Sequence, residues 1–138
     1  MIKNKINTRP RIETKFEDIG KIAEEIAKIK SVKAVYLFGS YATGKNHRFS
    51  DIDLCVIGNL SEKEKYKALS PLSDNLDIVF FELLPVYIKI RVFIEGKPLI
   101  IKDREAINRL KLRTLSEYLD FKPALNKFCM ETLKCTID

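Results

Sequence analysis

A glycine–serine turn and a pair of aspartates, ten residues apart, set the terms for this chain: Gly39-Ser40, then Asp51-Ile52-Asp53. Val32 to Phe38 is a β-branched and aromatic run that stops at Gly39, so it reads as a strand. Ile52 to Ile57 is apolar apart from Asp53. Ile52, Leu54 and Val56 face one way, Cys55 and Ile57 the other. Both faces therefore need cover, and the segment reads as a central strand with its acids at the upstream end. Period-2 geometry points Asp51 and Asp53 to the same side. Like charges held that close raise the cost of ionising each other, which a divalent cation between them relieves. Gly39 has no Cβ and lets the backbone approach a phosphate closely. The N–H groups of Ser40 and the next residues can form an anion nest at a helix start, and the Ser40 hydroxyl adds a donor. A metal–nucleotide complex satisfies both features.

The remaining pattern supplies helices and two more strands. Phe16, Ile19, Ile22, Ile26 and Ile29 recur at helical spacing over Phe16 to Lys30, with Glu17 and Asp18 at the start and Lys28 and Lys30 at the end. Ser40 to Ala42 begins a short helical turn that Gly44 ends, and Lys45 to Ser50 is a basic, polar loop. Ser61 and Glu64 form a capping box for a helix to about Leu69. Leu76 to Glu82 reads as a strand. A helix begins at Pro85 and ends at Gly96-Lys97-Pro98, and Leu99 to Lys102 reads as a short strand. Asp103 caps a long helical region carrying Ile107, Leu110, Leu115, Tyr118 and Leu119, which Pro123 should kink or restart before Leu125, Phe128, Cys129 and Leu133. Residues 1 to 13 are polar and carry Pro10, as a flexible arm or a short edge element would. The layout is α/β (α+β): a small mixed sheet flanked by helices, with a helical C-terminal region.

Composition narrows the class. The 138 residues fit one domain, and 46% apolar with 32% charged residues reads as globular. No apolar run reaches the roughly 18 residues of a membrane helix. The longest, Leu83 to Ile94, is interrupted by Pro85, Lys89 and Arg91. Met1 to Arg11 is basic without an apolar segment behind it, so a cytoplasmic protein is expected. Cys55, Cys129 and Cys135 show no paired spacing, and His47 stands alone in a polar loop, so neither disulfide nor zinc chemistry is indicated. The net charge of +6 favours acidic partners, but the basic residues are spread along the chain, and direct nucleic-acid binding is not expected.

A third acid sharpens the reading. Asp77 begins a strand otherwise made of Leu76, Ile78, Val79, Phe80 and Phe81. If that strand neighbours the one at residue 52, three carboxylates meet at one sheet edge. That suffices for two magnesium ions about 4 Å apart, the clamp of a phosphoryl transfer. With oxygen ligands and no competing His or Cys, magnesium is the metal indicated.

Gly39-Ser40-Tyr41-Ala42-Thr43-Gly44 and Ser50-Asp51-Ile52-Asp53-Leu54, with Asp77 downstream, resemble the polymerase-β-type nucleotidyltransferase superfamily. The ten-residue spacing and small size are similar to its minimal branch, the MNT antitoxins paired with HEPN toxins. The match is closest over about 32–82, and Ile94 to Leu99 and Tyr118 to Pro123 also look like that branch. The resemblance implies a polymerase-β-like fold in a single minimal domain over 1–138, with its motif core at about 32–82 and a helical part at about 103–135. It implies that Gly39 and Ser40 hold the β- and γ-phosphates of ATP. Asp51 and Asp53 would bind both magnesium ions, and Asp77 the nucleophile-side ion while helping to deprotonate the acceptor. The implied acceptor is a tyrosine of a HEPN RNase toxin, silenced by AMP. Family members often carry Arg where Thr43 stands; Lys45 or Arg48 could replace that triphosphate contact. Two alternatives stay open: a nucleotidyltransferase acting on small molecules of the antibiotic type, and a non-catalytic antitoxin acting by binding. The apolar C-terminal stripe suits a partner interface, or simply core packing.

Overall fold

The computed structural model describes residues 13–133. The arm read over residues 1–13 falls almost wholly outside that range, as does Cys135. A 3-10 turn, Phe16–Asp18, leads into α1, Ile19–Ala27. Then come β1, Val32–Phe38; α2, Ser40–Thr43; β2, Ile52–Gly58; α3, Glu62–Ala68; and β3, Leu76–Phe80. A second 3-10 turn, Phe81–Leu83, precedes α4, Val86–Glu95; β4, Lys97–Ile101; and α5, Arg104–Phe128, which runs into a π turn, Cys129–Leu133.

The sheet order is β3-β2-β1-β4. β1 is antiparallel to both β2 and β4, whereas β2 and β3 are parallel, joined through α3. Alternation splits the core into two layers. Val35, Leu37, Ile52, Leu54, Val56, Leu76 and Ile78 face Ile19, Ala23 and Ile26 of α1 and Ala68 of α3. Ala34, Tyr36, Cys55 and Ile57 face Val92 of α4 and Ile107 of α5. β2 is covered on both sides, as its unbroken apolar run requires. Each such fully buried aliphatic side chain contributes about 1.5 to 3 kcal/mol.

Four boundaries differ from the sequence reading. The first helix ends at Ala27, short of Lys30. The third strand ends at Phe80, because Phe81 turns inward under α4 instead of continuing the ladder. β4 starts at Lys97 and includes Pro98, which an edge strand tolerates because it can leave one N–H unpaired. Pro123 does not divide α5. The bond it removes would have ended on the carbonyl of Leu119, a residue 57% exposed, where water can serve instead. The capping box is present in full: Ser61 Oγ accepts from Glu64 N at 3.2 Å, and Ser61 N donates to Glu64 Oε1 at 3.0 Å.

Candidate active site

The acids gather where β1, β2 and β3 present adjacent ends. Asp53 stands opposite Asp77 in the parallel ladder and opposite Phe38 in the antiparallel one. Neighbouring strands lie about 4.8 Å apart, so the two carboxylates start from adjacent backbone positions on one face. That face also carries Cys55 and Val79, beneath α4 and α5. Asp51 precedes the strand and is exposed, as is Asp77, while Asp53 is half-buried. The acids are thus graded from solvent inward.

Asp53 records this crowding. Its carboxyl is pushed up from 3.8 to about 6, first by burial, then by the charges of Asp77 and Asp51. Among the described residues no lysine, arginine or histidine forms an ion pair with any of the three. Three oxygen-bearing side chains without a protein counter-ion are a donor set that suits a hard divalent cation. Among the described residues no three ligating side chains close on one point, so the carboxylates line a sheet edge and do not form a closed ligand set.

Gly39 makes the edge approachable. It adopts φ 74° and ψ −154°, a conformation suited to glycine alone. A Cβ there would stand 2.5 Å from Asp53 Oδ2, so the glycine also makes room for the carboxylate. Ser40 starts α2, a helix of four residues that Gly44 closes in the left-handed region, with Lys45 N donating to Ser40 O at 3.0 Å. The first N–H groups of any such turn have no intrahelical acceptor and remain available. Phe16 stacks on Tyr41 with ring centroids 4.9 Å apart, fixing the turn against the chain's start.

Loop residues singled out earlier are less committed. Thr43 turns its hydroxyl back to the carbonyls of Gly39 and Ser40, each at 3.4 Å. Lys45 and Arg48 are both exposed, and the Arg48 guanidinium lies 5.5 Å from the Phe49 ring centroid. His47 is a turn residue: its Nδ1 accepts from Phe49 N at 3.2 Å, and its N–H donates to Ser50 Oγ at 2.8 Å. The structure thus brings Gly39, Asp53 and Asp77 together, sets Asp51 beside them, and leaves Lys45 and Arg48 on the loop surface.

Asn75 was not singled out by sequence. Its carbonyl accepts from Ile52 N at 2.8 Å, between Asp51 and Asp53, two residues upstream of Asp77. Its side chain accepts from Thr14 N at 2.6 Å and donates to Thr14 O at 2.8 Å. It ties the starts of β2 and β3 to the N-terminal segment. An asparagine before a strand is common in turns, so composition alone gave no signal. A hollow of about 640 Å³, bordered by Ile22, Ile26, Glu64 and Lys67, lies between α1 and α3, and none of the three aspartates lines it.

Known proteins are similar to this chain in sequence and fold. The model of the family described as "Polymerase beta, Nucleotidyltransferase" matches residues 20–105. A candidate protein adenylyltransferase of Methanocaldococcus jannaschii is 36% identical over 64 residues, 46% of this chain and 52% of that protein. The protein adenylyltransferase MntA of Shewanella oneidensis is 34% identical over 77 residues, 51% of this chain and 55% of its own length. The chain spans about half the length of these relatives. Among solved structures, a toxin–antitoxin crystallised with AMP-PNP is similar at 25% identity and a TM-score of 0.66, over 86% of this chain and 98% of that one. A chain from the complex of tri-AMPylated Shewanella oneidensis HEPN toxin with MNT antitoxin shares the fold at 22% identity and a TM-score of 0.61, over 86% of this chain and 95% of that one. With the family model covering all four strands of the sheet, the two that bear Asp53 and Asp77 among them, the chain belongs to the polymerase β nucleotidyltransferase family.

Proposed function

We propose that this chain transfers AMP from ATP to a tyrosine of a HEPN-type RNase toxin and thereby neutralises it. The observation that carries this reading is the register pairing of Asp53 with Asp77 beside Gly39, where a Cβ would meet the Asp53 carboxylate. The relatives named as protein adenylyltransferases, and the similar structure solved with AMP-PNP, support the choice of nucleotide and of a protein acceptor.

In this reading Gly39 and the N–H groups of Ser40 and Tyr41 hold the β- and γ-phosphates. Asp51 and Asp53 would hold two magnesium ions, and Asp77 the one nearer the acceptor. When bound, magnesium neutralises the phosphate charge and polarises the α-phosphorus. Asp77, exposed at the sheet edge, receives the phenolic proton as the tyrosine oxygen bonds to the α-phosphorus. The α–β bridging bond breaks, and pyrophosphate leaves on the Gly39 side. Burial and neighbouring acids push the free Asp53 carboxyl up to about 6, so at and below that pH cation binding is coupled to proton release at that residue. Positioning and charge neutralisation supply most of the rate in such a transfer.

The test is transfer of label from α-labelled ATP, with magnesium, to the protein encoded next to this chain. Label on a partner tyrosine, absent with Asp53→Asn and with chelator, is the expected result. If Asp53→Asn neutralises the partner as well as the native chain does, the catalytic reading fails.

A further inference from the structure

The hollow between α1 and α3 lies on the sheet face away from the acids. Ile26 of α1 packs in the layer of Leu54 and Val56, whereas Asp53 shares its face with Cys55, beneath α4 and α5. Two hydrogen bonds bound the hollow. Past one end Ser31 Oγ donates to Glu64 Oε1 at 2.9 Å, and past the other the hydroxyls of Thr14 and Ser73 meet at 2.7 Å. The two walls are therefore tied together at both ends. What they enclose is a basin, not a channel through which an extended chain or a long helix can run. About 640 Å³ is the capacity of a small-molecule site.

Floor and rim differ in chemistry. Ile22, Ile26 and Ile29 recur at helical spacing, and Ile22 and Ile29 are only partly buried, so apolar surface remains for a ligand to cover. Four lysines stand against three acids in the lining, and two of those acids are engaged. Glu25 holds Lys28 at 2.8 Å, and Glu64 accepts from Ser61 N at 3.0 Å as well as from Ser31. Lys21, Lys30 and Lys67 are exposed and form no ion pair among the described residues. Each wall thus carries an ammonium group with no carboxylate of its own.

We infer that this basin binds a small amphipathic anion, its aliphatic or aromatic body on the isoleucines and its carboxylate or phosphate head on Lys67 and the flanking lysines. Other occupants use only part of the lining. Inorganic phosphate gains nothing from the floor, and a nucleotide finds no polar partner there for its ribose and base. A divalent cation meets a rim in which lysines outnumber acids. The inference goes beyond the nucleotidyl-transfer reading and does not depend on it.

Calorimetric titration of the full chain with decanoate, decyl phosphate, decyltrimethylammonium and inorganic phosphate tests this. At least one of the two apolar anions should bind at one site per chain, about tenfold or more tighter than the apolar cation and than phosphate. The tighter of the two identifies the head group. Lys21→Glu combined with Lys67→Glu reverses charge at exposed positions, leaves the core intact, and should cost that anion about tenfold or more. Leu115→Gln with Leu119→Gln removes exposed apolar surface from α5 and should change nothing. Equal binding of anion and cation, native affinity in the lysine double variant, loss in the leucine one, or failure of both apolar anions to bind would overturn the inference. Displacement of the bound anion by ATP with magnesium would put it at the nucleotide site and end the inference as well. The titration needs no partner protein, so absence of AMP transfer leaves its result standing.

Discussion

At the scale of single residues, the site is under electrostatic tension, and Asp53 carries it. Its folded carboxyl titrates at about 6 against an ordinary 3.8. A raised carboxylate pKa means that the folded state binds the proton more tightly than the unfolded one. The stabilising contribution is therefore complete below pH 3.8 and is lost as the pH rises through about 6. Asp53 is half-exposed, so water screens part of the effect, and the direction is what the experiment reads. With chelator present, thermal unfolding between pH 4 and 7 should show Asp53→Asn gaining on the native chain as the pH rises. Magnesium with ATP should raise the native melting temperature at pH 7 and leave the variant unmoved. Parallel melting curves for the two proteins would remove the tension argument. Gly39→Ala acts in the opposite sense. It forces a side chain into a glycine conformation and against Asp53 Oδ2, and should destabilise by about 1 to 3 kcal/mol in denaturant titration. Both residues were legible in the sequence because their chemistry is local: a glycine ending an apolar strand, an acid inside one. Asn75 was not, since its value lies in a bond to Thr14, 61 positions away.

At the scale of elements, legibility follows the same division. α3 was readable from its capping box, and β1 and β2 from their unbroken apolar runs, because those signals are complete within a few residues. The end of α1 was not. By charge alone Lys28 and Lys30 close it, yet Lys28 Nζ holds Glu25 at 2.8 Å, and it is Lys102 Nζ that reaches the carbonyls of Ala27 at 2.6 Å and Ile29 at 3.0 Å. That cap exists only once β4 has paired with β1. The reach of α4 over Phe38 and Gly39 was equally hidden. Pro123 misled for a different reason. A proline inside a helix normally breaks it, but α5 is held on both sides of position 123: Tyr87 of α4 stacks on Phe121 with ring centroids 6.4 Å apart, and Cys129 is buried beyond it. Pro123→Ala should restore the bond to Leu119 and stabilise the chain by about 1 to 3 kcal/mol, read as a higher denaturation midpoint with an unchanged slope. A lower midpoint would mean that the proline fixes a bend the packing requires.

At the scale of the whole molecule, the two sheet faces are finished differently. One is sealed by α1 and α3. The other is covered by α4 and only the first half of α5, with Ile107 and Thr114 its buried positions. On another side of the same helix Leu112 is 70% exposed, Leu115 43% and Leu119 57%. Steps of three and four residues put these three on one side of the helix, away from the side that carries Ile107, Thr114 and Phe121. The core-packing account of the C-terminal stripe thus holds for Ile107 and Leu110 and fails for the leucines further along. An exposed row of this kind marks a contact surface more often than a folding requirement. Leu115→Gln combined with Leu119→Gln should leave the unfolding free energy of the isolated chain within about 0.5 kcal/mol. If the row meets the toxin, the same double variant should weaken co-purification with the partner while still binding ATP, because both leucines belong to α5 and the site is built at the ends of β1, β2 and β3. A double variant that unfolds would return the stripe to the core, and one that still holds the partner with native affinity would move the interface elsewhere on the molecule.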